Sequence, residues 1–90
     1  MNDSYYQSLA KEWKLEPEEI TYVRRAEFQE VNGIRQLLSR YMESKKIPQL
    51  VRKKEEIFDD KSVLEMIAEG HSNDVWYLLK GAIPTDWYTT

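Results

Sequence analysis

The chain has 90 residues, of which 41% are hydrophobic and 32% are charged, and its formal net charge is −3. This length supports one small domain with a modest core and leaves no room for a catalytic domain beside a regulatory one. Cysteine is absent, which excludes disulfides, thiolate metal sites and cysteine nucleophiles and is compatible with a reducing compartment.

Neither a signal peptide nor a transmembrane helix is predicted. The first residues, Met1 to Ser4, lack a basic region followed by an apolar one, and the longest apolar run covers only residues 75–79. A membrane-spanning helix needs about 20 apolar residues. We therefore expect a cytoplasmic protein that does not enter the membrane.

The first helix is predicted to begin at Ser4. Ser4 and Gln7 have the spacing of a capping box, in which two side chains satisfy two backbone N–H groups at the start of a helix. Residues 15–17 are expected to form the turn that follows. Four apolar residues recur at helical spacing and predict a face that docks on the rest of the chain: Tyr6, Leu9, Ala10 and Trp13.

The central prediction is one long amphipathic helix, or a closely coupled pair, over residues 17–46. Pro17 suits a first helical position, while Lys45 and Lys46 complement the carbonyl end. Pro48 restricts the residue before it and is expected to stop the helix. At 100° per residue, one apolar stripe lies within about 60° of Ile20: Val23, Val31, Ile34, Leu38, Tyr41 and Met42.

Asn32-Gly33 is the doubtful point of this stretch, because the pair on its own predicts a tight turn. The apolar stripe keeps its phase across the glycine, which favours a continuous or merely kinked helix at a cost of about 1 kcal/mol relative to alanine. Glu27 lies on the same stripe and is interpreted as an edge carboxylate that pairs with Arg24 or reaches water.

A third, shorter helix is predicted after Pro48. The run from Arg52 to Glu56 is its solvent-exposed face, and Asp59-Asp60 interrupts it. The apolar residues expected to point inward are Leu50, Val51, Ile57 and Phe58.

Two further helices complete the prediction. Ser62 and Glu65 repeat the capping-box spacing and open the fourth helix, which Gly70 ends. Asn73 or Asp74 is expected to cap the fifth helix, which ends at Gly81. The inward residues are Val63, Leu64, Ile67 and Ala68 in the fourth helix and Val75, Leu78 and Leu79 in the fifth.

These elements define an all-α fold class. No segment alternates apolar and polar residues between strand-type turns, so no sheet is predicted. We expect a compact bundle of four to five helices organised around residues 17–46, forming a single helical domain over residues 1–90. Pro84 stops the last helix, and residues 84–90 either pack back on the bundle or form a mobile aromatic tail.

Basic residues concentrate in the middle of the chain. The stretch from Arg24 to Lys54 holds nine bases and three acids, whereas the flanks hold four bases and thirteen acids. A small helical nucleic-acid-binding regulator that uses this basic 24–54 region on phosphates is the alternative function. The negative net charge argues against it, and a solvated face balanced by the acidic flanks is the simpler interpretation.

Enzyme signals are nearly absent from the sequence. The three glycines lie far apart and form no phosphate-binding loop. His71 and Asp74 have a spacing that is common by chance, and one imidazole with one carboxylate would leave a metal underliganded. The acidic pairs at 18–19, 55–56 and 59–60 are interpreted as capping and solvation. We therefore predict no catalytic residue, no metal site and no cofactor.

Aromatic residues favour a protein-binding module. Eleven aromatic residues among 90 exceed what one small core readily buries, and tryptophan and tyrosine are common interface anchors. We therefore predict a non-enzymatic regulator, inhibitor or adaptor that binds another protein, with homo-oligomerisation as a further use of the same surface. The candidate partner-binding residues are an aromatic set, Trp76, Tyr77, Trp87 and Tyr88, and a basic set, Arg35, Arg40, Arg52 and Lys53.

Overall fold

The computed structural model describes residues 3–89, and this part of the chain forms six α-helices and no strand. The all-α prediction is confirmed, with six helices instead of four or five. Three short 3-10 turns, Ser44–Lys46, Glu56–Phe58 and Thr85–Trp87, join or follow them. The helices are α1 (Asp3–Trp13), α2 (Pro17–Arg25), α3 (Phe28–Tyr41), α4 (Ile47–Leu50), α5 (Val63–Ala68) and α6 (Ser72–Gly81).

The helices pack around one core. Helix α3 lies against α6, α5 lies against both α2 and α6, and α1 contacts α2 and α4. The largest fully buried side chains are Trp13, Trp87 and Phe58. They come from both ends and the middle of the sequence, so the core depends on contacts between distant segments.

The 17–46 stretch is a pair of helices, and the break falls at Ala26-Glu27 instead of Asn32-Gly33. Both residues of the break have extended backbone, and α3 runs unbroken through Gly33. A single straight helix would carry the Glu27 carboxylate on the buried stripe, whereas the break leaves Glu27 exposed at the N-cap of α3. Burying an unpaired carboxylate is costly, which explains why the chain turns here.

The second helix of the pair ends at Tyr41, five residues before the predicted end. A helix continued to residue 47 would place Ile47 on the side opposite the Ile20 stripe, because 27 residues at 100° leave a rotation of about 180°. The turn after Met42 instead allows Ile47 to be buried. Pro48 does not stop a helix as predicted, since it lies in the first turn of α4.

Local capping signals give mixed results. Ser62 and Glu65 form the predicted capping box, with the Glu65 N–H donating to the Ser62 hydroxyl at 3.1 Å. Gly70 has a φ of 86° just past α5, as expected for the residue that ends a helix. Ser4, in contrast, lies inside the first turn of α1, so its predicted capping role is wrong. Helix α6 begins at Ser72, ahead of the predicted caps.

Four residues on the predicted apolar faces are exposed to solvent. Tyr41, Ile57 and Leu78 are exposed large hydrophobic residues, and Ala68 is exposed at the end of α5. The third predicted helix fails because the chain forms only the four-residue α4 and then a loop closed by the isolated antiparallel bridge between Glu55 and Lys61. This short loop leaves Ile57 at the surface, while Phe58 is buried.

Candidate partner-binding surface

Helix α6 presents large apolar residues to solvent along its outer side. Val75 and Leu79 bury themselves against the bundle, whereas Tyr77 is 72% exposed, Leu78 is 38% exposed and Trp76 is partly buried. A helix of a small domain normally keeps such residues on its inner face. The outer side of α6 is therefore a candidate docking surface.

A groove of about 590 Å³ runs between α3 and α6. Trp76 lies against the backbone of α3 at Gly33, where a Cβ atom would be 2.3 Å from the indole ring. Only glycine permits this approach, because real Cβ contacts are never so short. Gly33 thus lowers the helix propensity of α3 but allows the indole of Trp76 to lie in the groove. Leu37 lines the groove from the α3 side.

Three cationic side chains line the groove, and none of its described lining residues is acidic. Arg35 is compensated, because it donates to Glu12 at 2.8 and 2.9 Å. Arg40 forms no ion pair within residues 3–89, and the Lys80 ammonium lies 4.4 Å above the Trp76 ring without a carboxylate partner there. Arg40 and Lys80 therefore leave uncompensated positive charge on the two sides of the groove.

An apolar shelf continues from the groove. Its cavity of about 500 Å³ is lined by Tyr77, Leu78, Gly81 and Ala82, and Lys80 lines both cavities. We call the groove and this shelf together the α6 surface. It combines aromatic and aliphatic contact area with cations, the mixture that is typical of protein interfaces.

Arg52, one of the candidate binding residues, has a structural role. Its guanidinium donates to the carbonyls of Trp13, Lys14 and Pro48 at 3.0, 2.7 and 2.8 Å and to the Glu19 carboxylate at 2.6 Å. These bonds satisfy carbonyl groups at the end of α1 and link three segments of the chain. The side chain is thus committed to the fold.

Replacing Arg52 by lysine should lower the free energy of unfolding by about 1 to 3 kcal/mol, because an ammonium cannot reproduce the planar set of donors. Urea denaturation followed by circular dichroism measures the change. Arg25→Lys is the matched control, since Arg25 is exposed and, within residues 3–89, forms only a distant contact with an aromatic ring. Equal stability of the two variants would contradict the structural role of Arg52.

Trp87 belongs to the core, so its candidate role as a surface anchor is corrected. The side chain is 0% exposed, and its indole Nε1 donates to a Glu55 carboxylate oxygen at 2.7 Å. Glu55 is itself 7% exposed, which corrects its interpretation as a solvated residue. Lys53 pairs with Asp86 beside this contact at 3.1 Å. Tyr88 is the only member of the predicted C-terminal pair at the surface.

The Glu55 carboxyl group has a perturbed protonation equilibrium. Burial raises its pKa above the ordinary value of 4.5, the Trp87 N–H opposes that rise, and the neighbouring Asp86 adds to it. Between the unfolded pKa of 4.5 and the higher folded pKa, Glu55 is therefore protonated in the folded state and ionised in the unfolded chain. Because the folded state binds more protons, the contribution of Glu55 to the free energy of unfolding falls as pH rises through this window.

Glu55→Gln should remove this pH dependence and still accept the Trp87 N–H through its amide oxygen. The stability of the variant relative to the wild type is expected to rise across the window above pH 4.5 and to be constant below it. Urea denaturation at pH values between about 4 and 8 measures the difference. A difference that does not change with pH would show that Glu55 is not desolvated.

Most of the basic middle is neutralised within the fold. Six of its nine bases form ion pairs, and five of those pairs join an acid of the N- or C-terminal flank. The basic residues therefore do not form one free phosphate-binding face. The paired bases are Arg24, Arg35, Lys45, Arg52, Lys53 and Lys54.

The structure brings together four of the eight predicted site residues. Arg35, Arg40 and Trp76 line the groove, and Tyr77 lines the shelf. The sequence interpretation missed Gly33, Leu78 and Lys80. Lys80 was detectable, because it follows Trp76 by four residues and such pairs meet on one helix face.

Comparison of the chain with protein-family profiles, curated protein sequences and solved structures finds no match. No helix between residues 3 and 89 is long and apolar enough to cross a membrane. In the same range, no three histidine, cysteine or acidic residues are grouped as a metal site would require. His71 and Asp74 lie 3.6 Å apart at the surface.

Proposed function

We propose that this chain is a non-enzymatic protein-binding module that engages another protein through the α6 surface. A cytoplasmic regulator, inhibitor or adaptor of this size would act by occupying its partner. The observation that carries the proposal is the exposure of Tyr77 and Leu78 next to a cationic groove that contains Trp76. Aromatic anchors surrounded by polar groups are the usual energetic centre of protein interfaces.

Two features argue against the nucleic-acid alternative. The ion pairs described above involve six of the nine bases in the 24–54 region, and only Arg25, Arg40 and Lys46 have no carboxylate partner within residues 3–89. The indole of Trp76 is an unsuitable stacking platform, because the Lys80 ammonium lies over the ring and the Gly33 backbone lies against it. A base could stack on the indole only by displacing Lys80, whereas nucleic-acid-binding aromatics offer an open face.

Partner capture from a nuclease-treated native lysate tests the proposal. The tagged wild type is compared with a Tyr77→Ser, Leu78→Ser variant, and Ile57→Ser is the control because Ile57 is a similarly exposed hydrophobic residue of the loop before α5. We expect the double variant to lose a discrete protein that the wild type and the control retain. Retention by all three proteins, or capture only when nuclease is omitted, would contradict the proposal.

A further inference from the structure

We infer that the groove between α3 and α6 binds a short acidic segment of the partner protein, with an apolar side chain flanked by carboxylates. This inference rests on the proposed function and adds the chemistry of the bound segment. It is supported by the charge of the groove, the length of its α3 wall and the nature of its floor.

Charge complementarity selects an acidic occupant. Arg40 and Lys80 stand on opposite helices without carboxylate partners in residues 3–89, while the chain as a whole carries a net charge of −3. The groove thus holds two unpaired cations on facing helices of an otherwise acidic protein, and none of its described lining residues is acidic. Such a pair of cations attracts an acidic segment to the groove.

The dimensions of the groove fit a short extended segment. Its α3 wall runs from Asn32 to Arg40, which is eight helical steps, or about 12 Å at 1.5 Å per residue. An extended chain advances about 3.3 Å per residue, so about four residues span this wall. Arg40 lies at one end of this wall and Lys80 lines the same groove from α6, so both cations border the space that such a segment would occupy.

The floor of the groove is apolar. Trp76 and Leu37 supply the contact area, and the glycine at position 33 keeps the backbone of α3 close to the indole. An apolar side chain at the centre of the segment would pack on Leu37 and on the part of the indole that Lys80 and Gly33 leave open, and would exclude water from the floor. The flanking carboxylates would then meet the cations at the rim, where they add specificity and speed of association.

Trp76 provides a direct signal for binding. Trp13 and Trp87 are 0% exposed, whereas Trp76 is only partly buried. Acrylamide quenching of tryptophan fluorescence in the intact protein therefore reports mainly on Trp76. We expect the bound segment to protect this fluorescence from quenching.

The experiment titrates the full chain with three synthetic five-residue peptides. Each peptide has a central phenylalanine. The flanking residues are aspartate and glutamate in the acidic peptide, asparagine and glutamine in the neutral peptide, and lysine in the third peptide. We expect the acidic peptide to bind at least about tenfold more tightly than the neutral one, with the preference falling as salt is raised. The lysine peptide should not protect Trp76.

Charge reversal locates the binding. Arg40→Glu and Lys80→Glu should each weaken binding of the acidic peptide at least about tenfold. Lys45→Glu is the matched control, because Lys45 is exposed and lies outside the groove. Circular dichroism of each variant shows that the fold is retained.

Several outcomes would overturn the inference. Equal affinity for the acidic and neutral peptides would show that charge does not select the bound segment. Equal losses of affinity in Lys45→Glu and Arg40→Glu would show that the peptide does not bind in the groove. If a second copy of this chain fills the groove, Trp76 protection will depend on protein concentration without any peptide. Failure of the peptides alongside capture that depends on Tyr77 and Leu78 would refute this inference and leave the proposed function intact.

Discussion

Replacing Trp87 by alanine is expected to lower the free energy of unfolding by about 3 to 5 kcal/mol, which is a large part of the total stability of so small a domain. The indole is fully buried, and its removal leaves a cavity in the core. The loss also leaves the buried Glu55 carboxylate without the Nε1–H donor. Both effects act in the same direction.

Urea denaturation of Trp87→Ala measures this loss of stability. Two other variants, Trp87→Phe and Tyr88→Ala, serve for comparison. Trp87→Phe retains much of the volume but no N–H, so its stability should fall between those of the wild type and Trp87→Ala. Tyr88→Ala should change stability by less than about 0.5 kcal/mol, since Tyr88 is mostly exposed. Wild-type stability in Trp87→Ala would contradict the assignment of Trp87 to the core.

Replacing Gly33 by alanine is expected to destabilise the protein by about 1 to 3 kcal/mol, even though alanine favours a helix by about 1 kcal/mol. The added Cβ would lie 2.3 Å from the Trp76 indole, so the ring must move away from α3. The same movement opens the groove, and binding through it should weaken. Urea denaturation gives the stability change.

A double-mutant cycle with Trp76→Ala separates the two effects of the alanine. Without the indole, the clash is gone and only the helical preference is left, so Gly33→Ala should stabilise the Trp76→Ala protein by about 1 kcal/mol. The effect of one substitution thus changes sign between the two backgrounds. An equal effect in both backgrounds would show that Gly33 is not required for the position of Trp76.

Features that depend on neighbouring residues could be predicted from the sequence. The capping box at Ser62 and the helix end at Gly70 are set by side chains within a few residues of the backbone groups they serve. The continuity of α3 through Gly33 followed from the phase of the apolar stripe. The break at Ala26-Glu27 was not predicted because neither residue is a glycine or proline. The break keeps the Glu27 carboxylate out of the core, where a straight helix would bury it.

Features that depend on distant contacts could not be predicted in this way. Whether Trp87 anchors a partner or fills the core is decided by Glu55, 32 residues earlier in the chain. The roles of the arginines divide for the same reason, since Arg52 finds carbonyl groups of α1 and Arg40 finds no carboxylate within the described residues. Residue type and spacing were equally compatible with both roles.

Site-specific photo-crosslinking tests most directly whether partners bind at the groove. Benzoylphenylalanine is introduced at Gln36, which lines the groove, and separately at Gln49, an exposed glutamine on α4 outside it. After irradiation in nuclease-treated native lysate, we expect a discrete protein adduct from position 36 and none from position 49. An adduct from position 49 alone, or equal adducts from both positions, would contradict binding through the α3–α6 groove.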